Sequence, residues 1–151
     1  MFSVKVADSK ILKDAFAAIS TLVDEATFDV SPDGLRLRAM DPSRVAMVDF
    51  LMQKTAFDEY TATENMKICV NMSELLKLLR RAGKDESVEL PFDEKTGQLK
   101  VIIKGRYTRS FNMPTLEAAE EEVPTPNLTF NARATLTTEG LRQALDDAAL
   151  V

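Results

Sequence analysis

A strand-like segment followed by a helix-like segment occurs twice in the first 113 residues, and this repeat limits the folds that the chain can adopt. Residues 2–6 alternate apolar and polar side chains as a strand does, and residues 10–23 place apolar side chains at helical spacing. The same order returns at 66–83, and strand-like segments separated by turn residues fill 87–113. The pattern predicts an internal structural repeat of strand, helix and strands.

Local signals mark the ends of both predicted helices. Asp8 or Ser9 can cap the first helix. Asn71 can cap the second, where Glu74 completes a capping box, and Gly83 predicts its end. The helical residues predicted to face the core are Ile11, Leu12, Ala15, Phe16, Ile19, Leu22, Val23, Leu75, Leu76 and Leu79.

The strands on either side of the Asp41-Pro42-Ser43 break are apolar on both faces. If Leu37 and Phe50 face the core, alternation places Met40, Val45 and Met47 on the outer face beside two arginines. A register error of one residue would instead place these three side chains in the core. On the outer face, flexible thioethers beside a valine predict an adaptable pocket for an apolar peptide anchor.

Composition excludes several classes of function. The chain has 151 residues, 45% of them hydrophobic and 28% charged, and it has no histidine, so catalysis through histidine is absent. It also lacks a glycine-rich phosphate loop, metal-spaced cysteines, a signal peptide and an apolar run near the roughly 20 residues that cross a bilayer. The single cysteine, Cys69, is predicted to be a buried, inert thiol. We expect a soluble intracellular protein that is not an enzyme, needs no cofactor or metal, and does not bind membranes.

The polar face of each predicted helix carries basic residues although the net charge is −5. Lys77, Arg80, Arg81 and Lys84 are spaced to form one stripe of the second helix, which suits an external anion such as phosphate. The alternative is a solvated helix face whose cations interact with the helix dipole. Weaker signals of the same kind are Lys10, Lys13 and Arg142. Since no aromatic residues interleave with these cations, recognition would be of backbone charge without sequence preference.

The last third of the chain predicts a connector and the start of another domain. Residues 117–127 combine an acidic run with two prolines and read as an exposed connector. Residues 128–151 begin the strand-helix pattern a third time, with Thr137 or Thr138 as the cap. The sheet that would complete this unit is missing, so we expect a truncated second domain.

Several segments closely resemble DNA sliding clamps of the proliferating cell nuclear antigen (PCNA) type, especially archaeal ones, and the resemblance covers the whole chain. It implies an α+β DNA-clamp (processivity-fold) domain with antiparallel sheets outside and two helices on the inner face. It also implies an N-terminal domain at 1–116, the connector at 117–127 and the start of a second domain at 128–151. The segments are "GLRLRAMDPSRVAMVDF", "LVDEATFDVSPDGL", "VNMSELLKLLRRAG", "TRSFNMP" and "LDDAALV".

The resemblance assigns residues to three surfaces. The pocket for partner peptides is Met40, Arg44, Val45, Met47 and Val123. The residues that face DNA are Lys10, Lys13, Lys77, Arg80, Arg81, Lys84 and Arg142. The subunit interface is Lys84, Tyr107, Arg109, Phe111, Glu139 and Asp147, and the strand 107–113 should keep one edge unpaired.

The implied function is that of a DNA polymerase processivity factor, a ring subunit that encircles double-stranded DNA. Its implied partners are DNA polymerase, flap nuclease, DNA ligase and the clamp loader, which bind through PCNA-interacting peptides. The family forms homotrimers or heterotrimers, and its location is cytoplasmic in archaea and nuclear in eukaryotes. The alternative is a clamp-derived or truncated adaptor that binds partner peptides without encircling DNA.

Overall fold

The computed structural model of the protein describes residues 1–118, 123–124 and 127–151. Most of the predicted strands are present within one or two residues of their expected ends, but the first helix ends at Ser20 rather than near Val23 and the second ends at Leu79 rather than near Gly83. The strands are β1 Phe2–Val6, β2 Glu25–Ser31, β3 Gly34–Met40, β4 Met47–Gln53, β5 Glu59–Ala62, β6 Met66–Asn71, β7 Ser87–Asp93, β8 Gln98–Lys104 and β9 Thr108–Pro114. The helices are α1 Lys10–Ser20, α2 Met72–Leu79 and α3 Thr138–Ala148, with a 3₁₀ turn at Lys54–Ala56.

The strands form two antiparallel sheets that exchange strands between the two repeats. One sheet has five strands in the order β5-β1-β7-β8-β9, and the other has four in the order β4-β3-β2-β6. The first strand of each repeat, β1 or β6, therefore lies in the sheet formed mainly by the other repeat. The predicted α+β class is confirmed, and this exchange ties the two halves into one structure.

The core lies where both sheets meet the apolar sides of α1 and α2. Leu12, Phe16 and Ile19 are buried on α1, and Leu75 and Leu79 are buried on α2. Burying each such side chain contributes roughly 1.5–3 kcal/mol by area. Both helices therefore contribute strongly to folding, and their polar sides remain available for other roles.

Two residues of the predicted α1 stripe are wrongly assigned to the core. Ile11 is 71% exposed, and Leu22 is also exposed. Leu12, Phe16 and Ile19 follow the i, i+4, i+7 spacing of one helix face, and Ile11 lies about 100° around the helix from Leu12. Leu22 lies beyond the helix, which ends at Ser20.

The strand β5 has no counterpart among the strands that the sequence predicts. It has four residues and pairs with β1, with Val4 opposite Tyr60. The Tyr60 hydroxyl donates to the Ser31 carbonyl at 2.7 Å, and Phe57 is buried just before the strand. A strand this short has little periodicity, so its pairing depends on the distant β1.

The C-terminal segment confirms the predicted helix and corrects the predicted strand. Thr137 caps α3, and its side chain accepts a hydrogen bond from the Gly140 N–H at 3.1 Å. Residues 127–137 form no strand, and a strand is stable only when its backbone pairs with a neighbour. Residues 127–151 are exposed throughout, so this segment contributes nothing to the core of the first domain.

No helix in the described part of the chain has the length and apolar character that crossing a membrane requires. Nor do the described residues bring three or more cysteine, aspartate or glutamate side chains together in a way that would hold a metal ion.

Candidate binding surfaces

The pairing of β3 with β4 fixes which side chains reach the outer face of the four-stranded sheet. Leu37 pairs with Phe50, and Met40 pairs with Met47. Leu37 is fully buried and Phe50 packs against the core, whereas the two methionines lie on the other face and are half-buried. The alternation inferred from the sequence is therefore correct, and the off-by-one register is wrong.

A groove of about 1060 Å³ lies on this outer face, and we call it the outer groove. Its apolar lining residues include Met40, Pro42 and Met47 from the region of β3 and β4, and Val123 and Pro124 from the connector. Its charged lining residues are Glu25, Asp29, Arg36, Arg38, Asp41, Arg44 and Lys67. Four of the five predicted pocket residues, Met40, Arg44, Met47 and Val123, thus line one cavity.

Val45, the fifth predicted pocket residue, does not line the outer groove. It is 86% exposed, and β4 begins only at Met47. Arg44 adopts a left-handed conformation with φ 58°, which turns the chain just before Val45. Strand alternation therefore does not apply at Val45, and the turn places its side chain outside the lining.

Asp41 organises the loop that carries Arg44 and Val45. Its carboxylate accepts hydrogen bonds from the hydroxyl and N–H of Ser43, from the Val45 N–H at 2.8 Å and from the Ala46 N–H at 2.7 Å. The Ser43 hydroxyl, followed by the backbone donors, lowers the pKa of Asp41. A charged Asp41 thus fixes one end of the outer groove.

Two arginines that line the outer groove, Arg36 and Arg38, share one aspartate, Asp49 of β4. Nη2 of Arg36 lies 3.2 Å and Nη2 of Arg38 lies 3.1 Å from Oδ2 of Asp49. The hydrogen bond from Arg36, followed by the one from Arg38, lowers the pKa of Asp49. Nη1 of Arg38 also donates to the Val123 carbonyl at 3.4 Å, which joins the sheet to the connector.

The predicted basic stripe is not a single helix face. The helix α2 ends at Leu79, and Arg80 is its C-cap. The N–H groups of Arg81 and Ala82 bond the carbonyls three residues back, which tightens the chain into a turn. Only Lys77 is therefore helical, and Arg80, Arg81 and Lys84 cluster around the turn after α2 rather than on a helical stripe.

The four cations of this cluster are exposed. None of Lys77, Arg80, Arg81 and Lys84 forms an ion pair or side-chain hydrogen bond with another residue that the structure describes. Charges that the fold does not neutralise attract external anions. We call these four residues the α2 basic cluster.

The other predicted DNA-facing cations have partners within the chain. Lys10 pairs with Asp14 one turn along α1, and Arg142 lies 3.8 Å from Asp146 on α3. Nζ of Lys13 donates to the Ala82 carbonyl at 3.1 Å, which links α1 to the turn after α2. These contacts reduce the share of each charge that is available to an external anion.

The strand β9 ends the five-stranded sheet, as the sequence predicts. In the described part of the chain it pairs with β8 alone, so its other edge is open. Tyr107 beside it is exposed, and Phe111 packs partly on the core. Arg109 forms an ion pair with Glu86 of the same chain, which partly neutralises the charge that a neighbouring subunit could contact. Lys84, Glu139 and Asp147, also predicted at the interface, are exposed.

Cys69 is buried, as predicted, but it does not belong to the core between the sheets. It lies opposite Thr27, on the same outer face as Lys67. The chain after β9 covers it, and the Leu116 N–H donates to the Cys69 carbonyl at 2.8 Å. This contact fixes the start of the connector on the sheet, and no periodic sequence signal reveals it.

Comparison with known proteins settles the family. The family model described as proliferating cell nuclear antigen, N-terminal domain, matches residues 1–121. The chain belongs to the PCNA family. The predicted family is thereby confirmed, and the match ends within the predicted connector.

Similar proteins of the PCNA family are DNA polymerase sliding clamps of archaea. The one from Thermofilum pendens is 38% identical over 144 residues, which is 95% of this chain and 58% of that protein. The one from Pyrococcus furiosus is 36% identical over 150 residues, which is 99% of this chain and 60% of that protein. The chain thus spans less than two thirds of the length of these relatives.

Solved structures agree with the PCNA fold. A crystal structure of PCNA from Thermococcus kodakaraensis aligns with a TM-score of 0.93 at 26% identity. The alignment covers 100% of this chain and 61% of the chain in that structure. A chain of a PCNA2–PCNA3 complex from Sulfolobus tokodaii aligns with a TM-score of 0.79 at 34% identity. The alignment covers 85% of this chain and 52% of that one. The predicted clamp fold is confirmed, and the roles of individual residues stay predictions.

Proposed function

We propose that this chain forms the first part of a sliding-clamp subunit, a processivity factor without catalytic activity that encircles duplex DNA. The observation that carries the proposal is the family match over residues 1–121, whose relatives are named DNA polymerase sliding clamps. Because those relatives are longer, the ring is proposed for subunits with a second domain, beginning here at 128–151. A clamp acts by topology, so it needs neither a cofactor nor a metal.

The α2 basic cluster is the proposed contact with DNA. Its cations have no partner among the described residues, whereas the net charge of −5 opposes general binding of a polyanion. A local cluster within an acidic protein favours weak contact with phosphates and little reading of bases. Weak contact of this kind lets a ring slide.

The outer groove is the proposed docking site for partner peptides of polymerases, nucleases, ligases and the clamp loader. Met40 and Met47 supply flexible apolar side chains, and Val123 of the connector lines the same groove. Such surfaces adapt to aliphatic and aromatic anchors.

We also propose a contact between subunits at the open edge of β9. There Lys84, Tyr107, Arg109 and Phe111 of one subunit would face Glu139 and Asp147 of a neighbour.

Salt-dependent binding to duplex DNA tests the proposal. Reversing Arg80 and Lys84 together to glutamate should weaken binding and reduce the slope of log K against log salt by about 2, since each phosphate contact releases about one counterion. Fluorescence anisotropy between roughly 50 and 200 mM salt measures this slope. A control double reversal of Lys54 and Lys95, two exposed lysines outside the α2 basic cluster, should change the slope much less.

Two results would contradict the DNA contact. One is an equal loss of binding in the control pair, which would mean that only net charge matters. The other is preference for one DNA sequence over another of the same length, which contact with phosphates alone does not produce.

A further inference from the structure

The geometry points to Arg38 as a positioning residue that ties the connector to the four-stranded sheet and so keeps one wall of the outer groove in place. The inference rests on the proposed function of that groove as a peptide site. It concerns a residue outside the predicted pocket set, and its first test needs no peptide.

Arg38 contacts the sheet and the connector at the same time. Its side chain is only 14% exposed, which is low for an arginine. Nη2 bonds Asp49 on β4, and Nη1 donates to the Val123 carbonyl. A planar guanidinium can hold two acceptors in fixed directions, which a lysine cannot do.

The described connector residues at this point are not held by strand pairing. Val123 and Pro124 belong to no strand, and proline has no N–H to donate. The carbonyl of Val123 is therefore a natural attachment point. With Leu116 fixed to Cys69 upstream, the Arg38 contact provides a second attachment of the connector to the same face.

Asp49 keeps Arg38 in this position. Its carboxylate binds both arginines, and its lowered pKa keeps it charged at neutral pH. The bond to Asp49 limits the rotamers of Arg38, so less entropy is lost when Nη1 meets the connector. The side chain is thus directed toward Val123 before any partner binds.

Arg36 supplies a matched control from the same strand. It binds the same carboxylate and also lines the outer groove, but its side chain is 47% exposed. Within the described residues, Asp49 is its only hydrogen-bond or ion-pair partner. Replacing Arg36 therefore removes an equal charge and an equal ion pair without touching the connector.

The first measurement is made on the full chain without peptide. Arg38→Ala should shift the methyl and amide NMR resonances of Val123 and increase their mobility, and Arg36→Ala should leave them nearly unchanged. Arg38→Lys should fall between the two, because one ammonium cannot hold the carboxylate and the carbonyl with the same geometry. Thermal melting of each variant checks that the fold is intact.

The second measurement uses a synthetic peptide with one aliphatic anchor followed by two aromatic residues. Arg38→Ala should weaken its binding about tenfold, mainly through faster dissociation, because one wall of the site is released. The control for binding is Lys104→Ala, which removes an ion pair with Glu89 on the five-stranded sheet and should change binding less than about twofold.

The outcomes separate this inference from the proposed function. The role of Arg38 would be overturned if Arg38→Ala left the Val123 resonances unchanged. It would also be overturned if Arg38→Ala and Arg36→Ala changed these resonances equally. If Arg38→Ala increases the mobility of Val123 but leaves the peptide affinity unchanged, Arg38 is not a positioning residue for the peptide site. If the unmodified chain binds no peptide while Arg38→Ala still releases Val123, the attachment stands and the proposed peptide site fails.

Discussion

Asp41 shows how one charged side chain can shape a binding surface without contacting a partner. Its four hydrogen bonds hold the loop between β3 and β4. Because the folded pKa of Asp41 is lowered, its contribution is fully present above the unfolded pKa of about 3.9. That contribution is lost as pH falls through the lower folded pKa.

We therefore expect the loop to loosen under acid while the rest of the domain stays folded. The amide resonances of Val45 and Ala46 should shift together as pH falls below about 4, following the titration of Asp41. Asp41→Asn should remove this shift and give a looser loop at neutral pH, since an amide has one acceptor oxygen. The control Asp33→Asn alters an exposed acid in another turn and should leave the shift in place. Titration at the pH of an ordinary exposed aspartate would refute the role of these hydrogen bonds.

For single residues, the sequence predicts the features that regular geometry determines. The faces of Met40 and Met47 follow from strand alternation, and the Asn71 cap follows from its hydrogen-bonding chemistry. Val45 is exposed, as predicted, but a left-handed turn precedes it and it does not line the outer groove. The Arg38 contact with Val123 joins residues 85 positions apart, and no local pattern predicts such a contact.

Among the elements, short ones escape prediction most often. The helix α2 has eight residues, so its predicted basic stripe extends past its end. β5 has four residues and depends on pairing with β1. The turn between β2 and β3 differs from these, because Pro32, Asp33 and Gly34 carry their turn preferences locally.

Gly34 is expected to be essential to that hairpin. Its φ is +153°, and a Cβ there would lie 2.4 Å from the Met52 carbonyl oxygen. Gly34→Ala should lower the free energy of unfolding by roughly 3 kcal/mol. Gly97→Ala also has positive φ but meets nothing closer than 3.7 Å, so it should cost only about 1 kcal/mol. Urea denaturation measures both, and equal losses would mean that the close approach to β4 is relieved by a backbone shift.

Across the complete fold, the repeat is visible in the sequence and the exchange of strands is not. Each repeat is inferred from local periodicity, whereas the pairing of β1 with β7 joins distant segments. With both sheets built from both repeats, neither half has a complete sheet of its own. We infer that residues 1–116 unfold as one cooperative unit.

Residues 127–151 should contribute little to the stability of that unit. The structure buries none of their side chains, and an isolated helix as short as α3 is marginal in water. A chain ending at residue 126 should therefore keep its urea midpoint, with an unfolding free energy within about 0.5 kcal/mol of the full chain. A clear fall in the midpoint would show that the segment packs on the first domain.

Removing the segment should instead change association. The α3 residues Leu141 and Leu145 are exposed, and apolar surface of this kind promotes contact between molecules. Sedimentation velocity should show concentration-dependent self-association of the full chain that decreases in the shortened one. The double variant Leu141→Ser with Leu145→Ser should reproduce that decrease while keeping the full length. If association instead persists in both, its source is sought at the open sheet edges, of which β9 is one, because an unpaired strand also recruits a second copy.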